Sequence, residues 1–144
     1  MEEIVILPYL HYDETEILHL YKSVGWSNYY EKPEMLRNAY ANSLCTLGAF
    51  DGEKLVGIIR VVGDGYSIIY IQDLLILPEY QHRKVGTKLL SAIVDKYKDV
   101  YQKVLITDKT EKTVTFYKSL GFFELTEIGY VAFQHCINSQ VARQ

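Results

Sequence analysis

The chain has 144 residues and a formal net charge of −3 at pH 7, with 15 basic against 18 acidic side chains. This length predicts a single domain over residues 1–144, and the acidic balance argues against a nucleic-acid partner, which usually binds a strongly basic domain. Its apolar runs fall far short of the ~20 residues that span a bilayer. We therefore expect no membrane segment, and we see no secretory leader. Two cysteines, Cys45 and Cys136, are too few for a disulfide framework, which favours a reduced, cytoplasmic protein.

Capping and turn residues divide the chain into elements. Asp13 with Glu16 forms a capping box that opens a helix, and Gly25 lies where a helix C-terminus favours glycine. Asp51 and Gly52 predict a tight hairpin. The predicted helices are residues 13–24, a segment from about 33 to 40, residues 85–98, and residues 108–120 capped by Asp108 with Glu111. The predicted strands are residues 4–7, 46–50, 55–62, 66–77, 104–107, 122–125 and 130–133.

The order of these elements predicts the fold class. A long strand, a helix and a short strand follow each other in the middle of the chain, which is the pattern of a βαβ crossover with parallel strands. The strands before this crossover are joined by short turns and should be antiparallel. The sequence therefore predicts an α/β (α+β) fold with a mixed, mostly antiparallel sheet and helices on both faces.

The most informative segment is residues 71–90, in which a strand ends, the chain turns and a helix begins. The free backbone amides of residues 82–87 would converge at that helix N-terminus, where the helix dipole favours an anion. Side chains of His82, Arg83, Lys84 and Lys88 add positive charge nearby. This arrangement is typical of a pyrophosphate site.

These residues resemble the coenzyme A loop of the GNAT N-acetyltransferase superfamily, whose pattern is Gln/Arg-x-x-Gly-x-Gly/Ala after an apolar strand. Here the loop runs from Gln81 to Gly86, with Lys84 in place of the first glycine. Residues 113–122 resemble the late helix of the same family, including Tyr117, whereas Thr110 stands where the family often has asparagine. Together with the element order, the resemblance covers residues 45–134.

The resemblance implies acetyl-CoA as cosubstrate. The strands on either side of the crossover would splay apart, and the pantetheine arm would lie between them against the backbone of the longer strand. The amides of residues 82–87 would hold the pyrophosphate. The implied coenzyme-contacting residues are Leu74, Leu75, Ile76, Gln81, His82, Arg83, Lys84, Val85, Gly86, Thr87 and Thr110.

Acetyl transfer to an amine needs an oxyanion donor, an acid for the departing thiolate and a neutral amine. A backbone N–H near Leu75 or Ile76 would serve the oxyanion, and Tyr117 occupies the position of the family's usual general acid. Asp73, a carboxylate on an apolar strand, is the candidate base. The alternatives are that Tyr117 only packs its helix, that Asp73 is simply hydrogen-bonded or faces substrate, and that a water chain takes the proton.

Three aromatic residues after the first helix, Trp26, Tyr29 and Tyr30, are candidates for binding the acceptor, since aromatic faces attract ammonium groups. Surface packing or a dimer contact is the alternative for them. No set of residues has metal spacing. The sequence thus predicts direct acetyl transfer from acetyl-CoA to a small-molecule amine. The rivals are a noncatalytic acyl-CoA-binding or sensor domain and a small-molecule-sequestering module that dimerises; a homodimer through the C-terminal strands would fit the family.

Overall fold

The structure, a computed structural model, describes residues 3–135. The chain divides into two compact units, Met1–Ile106 and Thr107–Gln144. The strands are β1 (Val5–Pro8), β2 (Cys45–Asp51), β3 (Lys54–Gly63), β4 (Ile68–Ile76) and β5 (Gln102–Leu105). The helices are α1 (Glu14–Ser23), α2 (Ser27–Tyr30), α3 (Pro33–Ala41), α4 (Val85–Lys96) and α5 (Glu111–Ser119), with 3-10 turns at Pro78–Tyr80 and Leu125–Ile128.

The first unit contains a five-stranded sheet with the order β1-β2-β3-β4-β5. All neighbouring strands are antiparallel except β4 and β5, which are parallel and joined through α4. This is the mixed, mostly antiparallel sheet that the sequence predicts, including its βαβ crossover. The apolar core is formed by fully buried side chains of the sheet and the helices, among them Ile58, Ile59, Leu75, Leu89 and Ile93.

Helices cover both faces of this sheet. A Cβ at Gly57 of β3 would lie 3.2 Å from a methyl group of Val85, so α4 packs on the face to which position 57 belongs. Arg60, three residues further along β3, therefore points to the other face. There it bonds a serine at the end of α3 and lies over the ring of Tyr40. The predicted two-sided arrangement is confirmed.

The predicted ends of α1 are confirmed, with one addition. The Asp13 side chain accepts a hydrogen bond from the amide of Glu16, and Gly25 closes the helix at φ 79°. Glu16 does not return the bond to Asp13. Instead the hydroxyl of Tyr9 donates to Glu16 and accepts the amide of Asp13, so a tyrosine stands between the two members of the capping box.

Several predicted boundaries are wrong. The short helix α2 was not expected. Helix α5 is capped by Thr110, whose side chain accepts the amide of Thr113, and not by Asp108. The predicted strands at residues 122–125 and 130–133 are absent from the described residues; residues 125–128 form a 3-10 turn that ends at Gly129 in a left-handed conformation. Cys45 is a free thiol, and Cys136 lies outside the described residues.

Candidate active site

A buried ion pair links the middle of the sheet to α1. Asp73 of β4 is 1% exposed, and its Oδ2 accepts hydrogen bonds from Arg60 Nε at 2.8 Å and from the Tyr21 hydroxyl at 2.6 Å. Its Oδ1 has no hydrogen-bond partner among residues 3–135. Tyr21 has a single hydroxyl hydrogen, so it must accept from the Tyr40 hydroxyl, 3.0 Å away. The Asp73 carboxylate is thus the centre of a polar cluster inside an apolar layer.

The charges of this cluster stabilise each other. Burial alone lowers the pKa of the Arg60 guanidinium, but the adjacent Asp73 carboxylate raises it, with a net rise. Burial, followed by the charge of Asp73, raises the pKa of Tyr21 far above its usual value, so its hydroxyl remains a donor at any physiological pH. Removing one member of such a pair leaves a buried charge unpaired, which typically costs about 3–5 kcal/mol.

The aromatic residues predicted to bind the acceptor lie next to this cluster. The ring centroids of Trp26 and Tyr29 are 5.9 Å apart, and each packs against Tyr21, at 6.1 and 5.4 Å. The amide nitrogen of Gln72 on β4 donates to the Tyr29 hydroxyl at 3.1 Å. Tyr30 is half-buried on the same short helix but has no ring contact among the described residues. Two of the three predicted residues therefore connect α2 to the candidate site.

Strand β4 is paired with β5 along only the first part of its length. β5 pairs only with residues 68–71 of β4, although β4 continues to Ile76. The Leu77 amide bonds Val56 on β3, and the Leu75 carbonyl points toward β3, 3.2 Å from a Cβ at Gly57. In an antiparallel pair, the N–H and C=O groups of successive residues point alternately toward the neighbouring strand and away from it. Those of Leu74 and Ile76 therefore point away from β3, to the open side that β5 leaves unpaired. Gln81 donates to the Ile76 carbonyl there, at 3.4 Å. The sequence named Leu75 as well, but its backbone faces β3.

Two residues of the loop after β4 have a left-handed backbone conformation. His82 has φ 69° and Lys84 has φ 62°, ψ 23°. Lys84 occupies the first glycine position of the loop motif, so the chain keeps the backbone conformation that glycine favours while carrying a cation there. The first intrahelical bond of α4 runs from the Lys88 amide to the Lys84 carbonyl, which leaves the amides of residues 84–87 for another acceptor.

Tyr80 anchors this loop, and the sequence had not singled it out. Its hydroxyl donates to Asp51 at the end of β2, at 2.5 Å. The guanidinium of Arg83 lies over its ring, 4.9 Å from the centroid, and the Lys54 ammonium lies 5.3 Å from the same centroid. Arg83 is consequently held by an aromatic face, and Arg83 and Lys84 bring positive charge to the turn before α4.

The second unit carries Thr110 and Tyr117. The Thr110 hydroxyl caps α5 and donates to Thr113 Oγ1 at 2.9 Å. Tyr117 is half-buried and packs edge-on against Phe116 and Phe122, with centroids 5.0 and 5.9 Å away. Burial, followed by the charge of Asp108, raises the pKa of Tyr117 to about 12. Its phenol is therefore fully protonated at neutral pH.

No group of three or more His, Cys, Asp or Glu side chains in residues 3–135 is placed to hold a metal ion. None of the helices in that range is long and apolar enough to cross a membrane.

The comparisons with known proteins agree with this geometry. The sequence model of the acetyltransferase (GNAT) domain matches residues 12–136. The chain belongs to the GNAT acetyltransferase family. An uncharacterized ycf52-like N-acetyltransferase of Prochlorococcus marinus is 32% identical over 117 residues, which are 76% of this chain and 62% of the relative. The chain thus spans less than two thirds of that relative's length.

Solved structures give the same fold. A GNAT family acetyltransferase of Streptococcus pneumoniae TIGR4 has 39% sequence identity and a TM-score of 0.85, over 96% of this chain and 100% of that one. The PaiA N-acetyltransferase of Thermoplasma acidophilum, solved in complex with coenzyme A, has 23% identity and a TM-score of 0.68, over 84% of this chain and 90% of that one. The mixed sheet with its β4–α4–β5 crossover is therefore the GNAT fold.

Proposed function

We propose that this GNAT protein transfers the acetyl group of acetyl-CoA directly to a primary amine of a small molecule, within a ternary complex. The observation that carries the proposal is the open side of β4. Backbone groups of Leu74 and Ile76 face away from β3 there, and a loop with the cationic side chains of Arg83 and Lys84 follows. An extended ligand that contains amides and ends in a pyrophosphate would complement both features.

The residues of this chain fit such a coenzyme. Leu74 and Ile76 would bond the pantetheine amides as a neighbouring strand does. The amides of residues 84–87, at the N-terminus of α4, would hold the pyrophosphate together with His82, Arg83 and Lys84. Gln81, Val85, Gly86 and Thr87 would line this turn, as the sequence predicts. A contact from Thr110 stays a prediction, and it would compete with the cap that this hydroxyl provides to α5.

Acetyl-CoA supplies the acyl group and a thiol leaving group. We assign the Ile76 amide to the oxygen on which negative charge develops, because a fixed backbone N–H is an effective oxyanion donor. We assign Tyr117 as the acid that protonates the departing sulfur, which requires a phenol that stays protonated, as a pKa of about 12 ensures.

We assign the proton of the attacking ammonium to water and not to Asp73. The carboxylate of Asp73 is 1% exposed, and one of its oxygens is occupied by two donors, Arg60 and Tyr21. A group enclosed in this way is poorly placed to meet an incoming amine. Of the two bases that the sequence left open, we therefore favour a water chain.

The aromatic side chains of α2 and the residue before it favour a cationic acceptor. Trp26 and Tyr29 pack together and are tied to β4 through Gln72. Their faces would attract the ammonium or an aromatic part of the acceptor, and Tyr30 would extend this side. This supports a small cationic or aromatic amine as substrate.

The remaining predictions form part of the same proposal. The family match over residues 12–136 is consistent with a single acetyltransferase domain, and the net charge of −3 argues against a nucleic-acid partner. The low cysteine count favours the cytoplasm. Whether the protein forms a homodimer stays a prediction.

The proposal is tested by following free thiol release from acetyl-CoA across a panel of amines. The panel should include diamines, amino sugars and arylalkylamines. Tyr117→Phe is the diagnostic variant, and Tyr130→Phe, at an exposed tyrosine of the same unit, is its matched control. Turnover that Tyr117→Phe lowers and Tyr130→Phe leaves unchanged supports the proposal. Binding of CoA without turnover of any amine would favour the noncatalytic alternative.

A further inference from the structure

Two irregularities of the sheet meet at Gln72. The register of β3 with β4 pairs Val61 with Ile71 but Arg60 with Asp73, so Gln72 is an extra residue, a β-bulge. Pairing of β4 with β5 also ends at Ile71. Beyond this point, β3 is the one strand among the described residues that pairs with β4. The direction of its open segment therefore depends on what holds residues 72 and 73.

The bulge decides which residue faces Arg60. If the register of residues 61–63 of β3 continued, Gln72 would lie opposite Arg60. The bulge places Asp73 there instead, where Oδ2 receives Arg60 Nε at 2.8 Å. The second donor to the same oxygen is the hydroxyl of Tyr21, on α1. Asp73 is thus bound from the sheet and from the covering helix at once.

Arg60 is itself fixed in place. Its Nη1 donates to Ser43 Oγ at 3.2 Å, and that hydroxyl in turn donates to the Ala39 carbonyl of α3 at 2.7 Å. Its guanidinium also lies over the Tyr40 ring, 5.2 Å from the centroid. The carboxylate of Asp73 can therefore not shift without breaking contacts to α1, α3 and β3.

We infer that Asp73, together with Arg60 and Tyr21, is a positioning group that locks the β4 bulge and so aims the open backbone groups of Leu74 and Ile76. The ligand of those backbone groups rests on the proposed function. The role follows from geometry: Asp73 immediately follows the bulge, and Leu74 and Ile76 are the next residues that face the open side. The buried ion pair thereby connects helices α1 and α3, on the side proposed to bind the acceptor, with β4, along which the coenzyme is proposed to lie.

The test uses coenzyme A itself, titrated by calorimetry, alongside the KM for acetyl-CoA and kcat. Tyr21→Phe removes one donor to Asp73, and Asp73→Asn keeps the shape of the side chain without its charge. We expect both to weaken CoA binding roughly tenfold, about 1.4 kcal/mol. Tyr40→Phe is the matched control, because it removes a buried hydroxyl of the same cluster that bonds Tyr21 and not Asp73. It should leave the Kd for CoA within about twofold, a difference of about 0.4 kcal/mol.

A double substitution separates positioning from proton transfer. Replacing a buried ion pair by apolar residues of similar size is often neutral or stabilising, so Arg60→Met with Asp73→Leu should still fold. Because it lacks the ion pair that holds the bulge, we expect it to bind CoA more weakly than the wild type. If Asp73 instead accepted the proton of the amine, the double variant would lose kcat while its CoA affinity stayed at the wild-type level.

The outcomes distinguish this inference from the proposed function. If the wild type binds CoA and Tyr21→Phe binds it as tightly as Tyr40→Phe does, the inference is overturned, whatever the stability of the variants. Should Asp73→Asn fail to fold, Tyr21→Phe and the double variant still decide the question. Absence of CoA binding by the wild type would overturn both the proposed function and the inference.

Discussion

The left-handed conformation of Lys84 leads to a quantitative prediction about loop strain. Lys84 precedes α4 with φ 62° and ψ 23°, a conformation that costs a residue with a Cβ about 1–2 kcal/mol. Glycine removes this cost but gains freedom in the unfolded chain, which opposes it by about 0.4–1 kcal/mol. We therefore expect Lys84→Gly to stabilise the protein by about 0.5–1 kcal/mol.

Lys84→Ala isolates the backbone effect, since alanine keeps the strain and removes only the charged side chain. We expect the glycine variant to be more stable than the alanine variant by about 0.5–1 kcal/mol in urea denaturation. Ser91, an exposed residue within α4, provides the control with the opposite sign. The Ser91→Ala variant should be more stable than the Ser91→Gly variant, by about 1 kcal/mol.

The same two variants report on the coenzyme. Both lack the Lys84 ammonium, so both should bind CoA more weakly than the wild type, with a smaller loss at high salt. Equal stability of the glycine and alanine variants, or a more stable alanine variant, would refute the claim that Lys84 is strained. A CoA affinity that neither substitution changes would refute its role at the phosphates.

Tyr117→Phe should lower kcat by about 10²–10⁴-fold with little change in the KM for acetyl-CoA; because its pKa is raised to about 12, the wild-type kcat should show no alkaline loss from this group below pH 10. Asp64 accepts hydrogen bonds from the Ser67 hydroxyl and from three backbone amides, which lower its pKa. Its stabilisation is complete above its unfolded pKa of about 3.9 and is lost as the pH falls below it, so the stability difference between wild type and Asp64→Asn should shrink from pH 5 to pH 2. Gly57→Ala would place a Cβ 3.2 Å from the Leu75 carbonyl oxygen, which is fixed in the ladder, and 2.9 Å from the Ile76 Cδ1 atom, which can move; we expect a loss of about 1–3 kcal/mol in urea unfolding.

Capping and turn residues in the sequence correctly predicted most of the helices and strands of the first unit. The capping side chain of Asp13, the C-terminal Gly25 and the Asp51–Gly52 turn each act within a few residues, and each is confirmed. The long apolar strand followed by a helix and a short strand was sufficient to predict the parallel crossover. Such signals are reliable because the backbone geometry that they satisfy is itself local.

Competing local signals explain where the prediction was wrong. Asp108 and Thr110 are both good N-cap residues. Each has a polar residue three positions later, Glu111 and Thr113 respectively, and it is Thr110 that caps α5. At residues 122–133, aromatic and β-branched residues suggested two strands. Strand propensity depends on a partner strand and on burial, whereas Phe123, Tyr130, Val131 and Phe133 are all more than half exposed.

The candidate site was predicted where it depends on the sequence order and missed where it depends on register. The loop from Gln81 to Gly86 is contiguous, so its role could be proposed from the sequence. Asp73 attracted attention as a carboxylate on an apolar strand, yet Arg60 stands in an equally apolar strand and was passed over. Two opposite charges on adjacent hairpin strands are a usable signal, since burial of either one needs a partner.

The regular register of the hairpin would still not have paired Arg60 with Asp73. Counting outward from the turn between β3 and β4, regular pairing places Arg60 opposite Gln72, and Asp73 would lie one position beyond. A neutral amide opposite a buried guanidinium would leave its charge uncompensated, which is more costly than one local disruption of the ladder. The bulge therefore forms because the ion pair requires it, and the ion pair keeps the bulge in place. This mutual dependence, which no local pattern encodes, is what brings the open segment of β4 into position at the point where β5 ends.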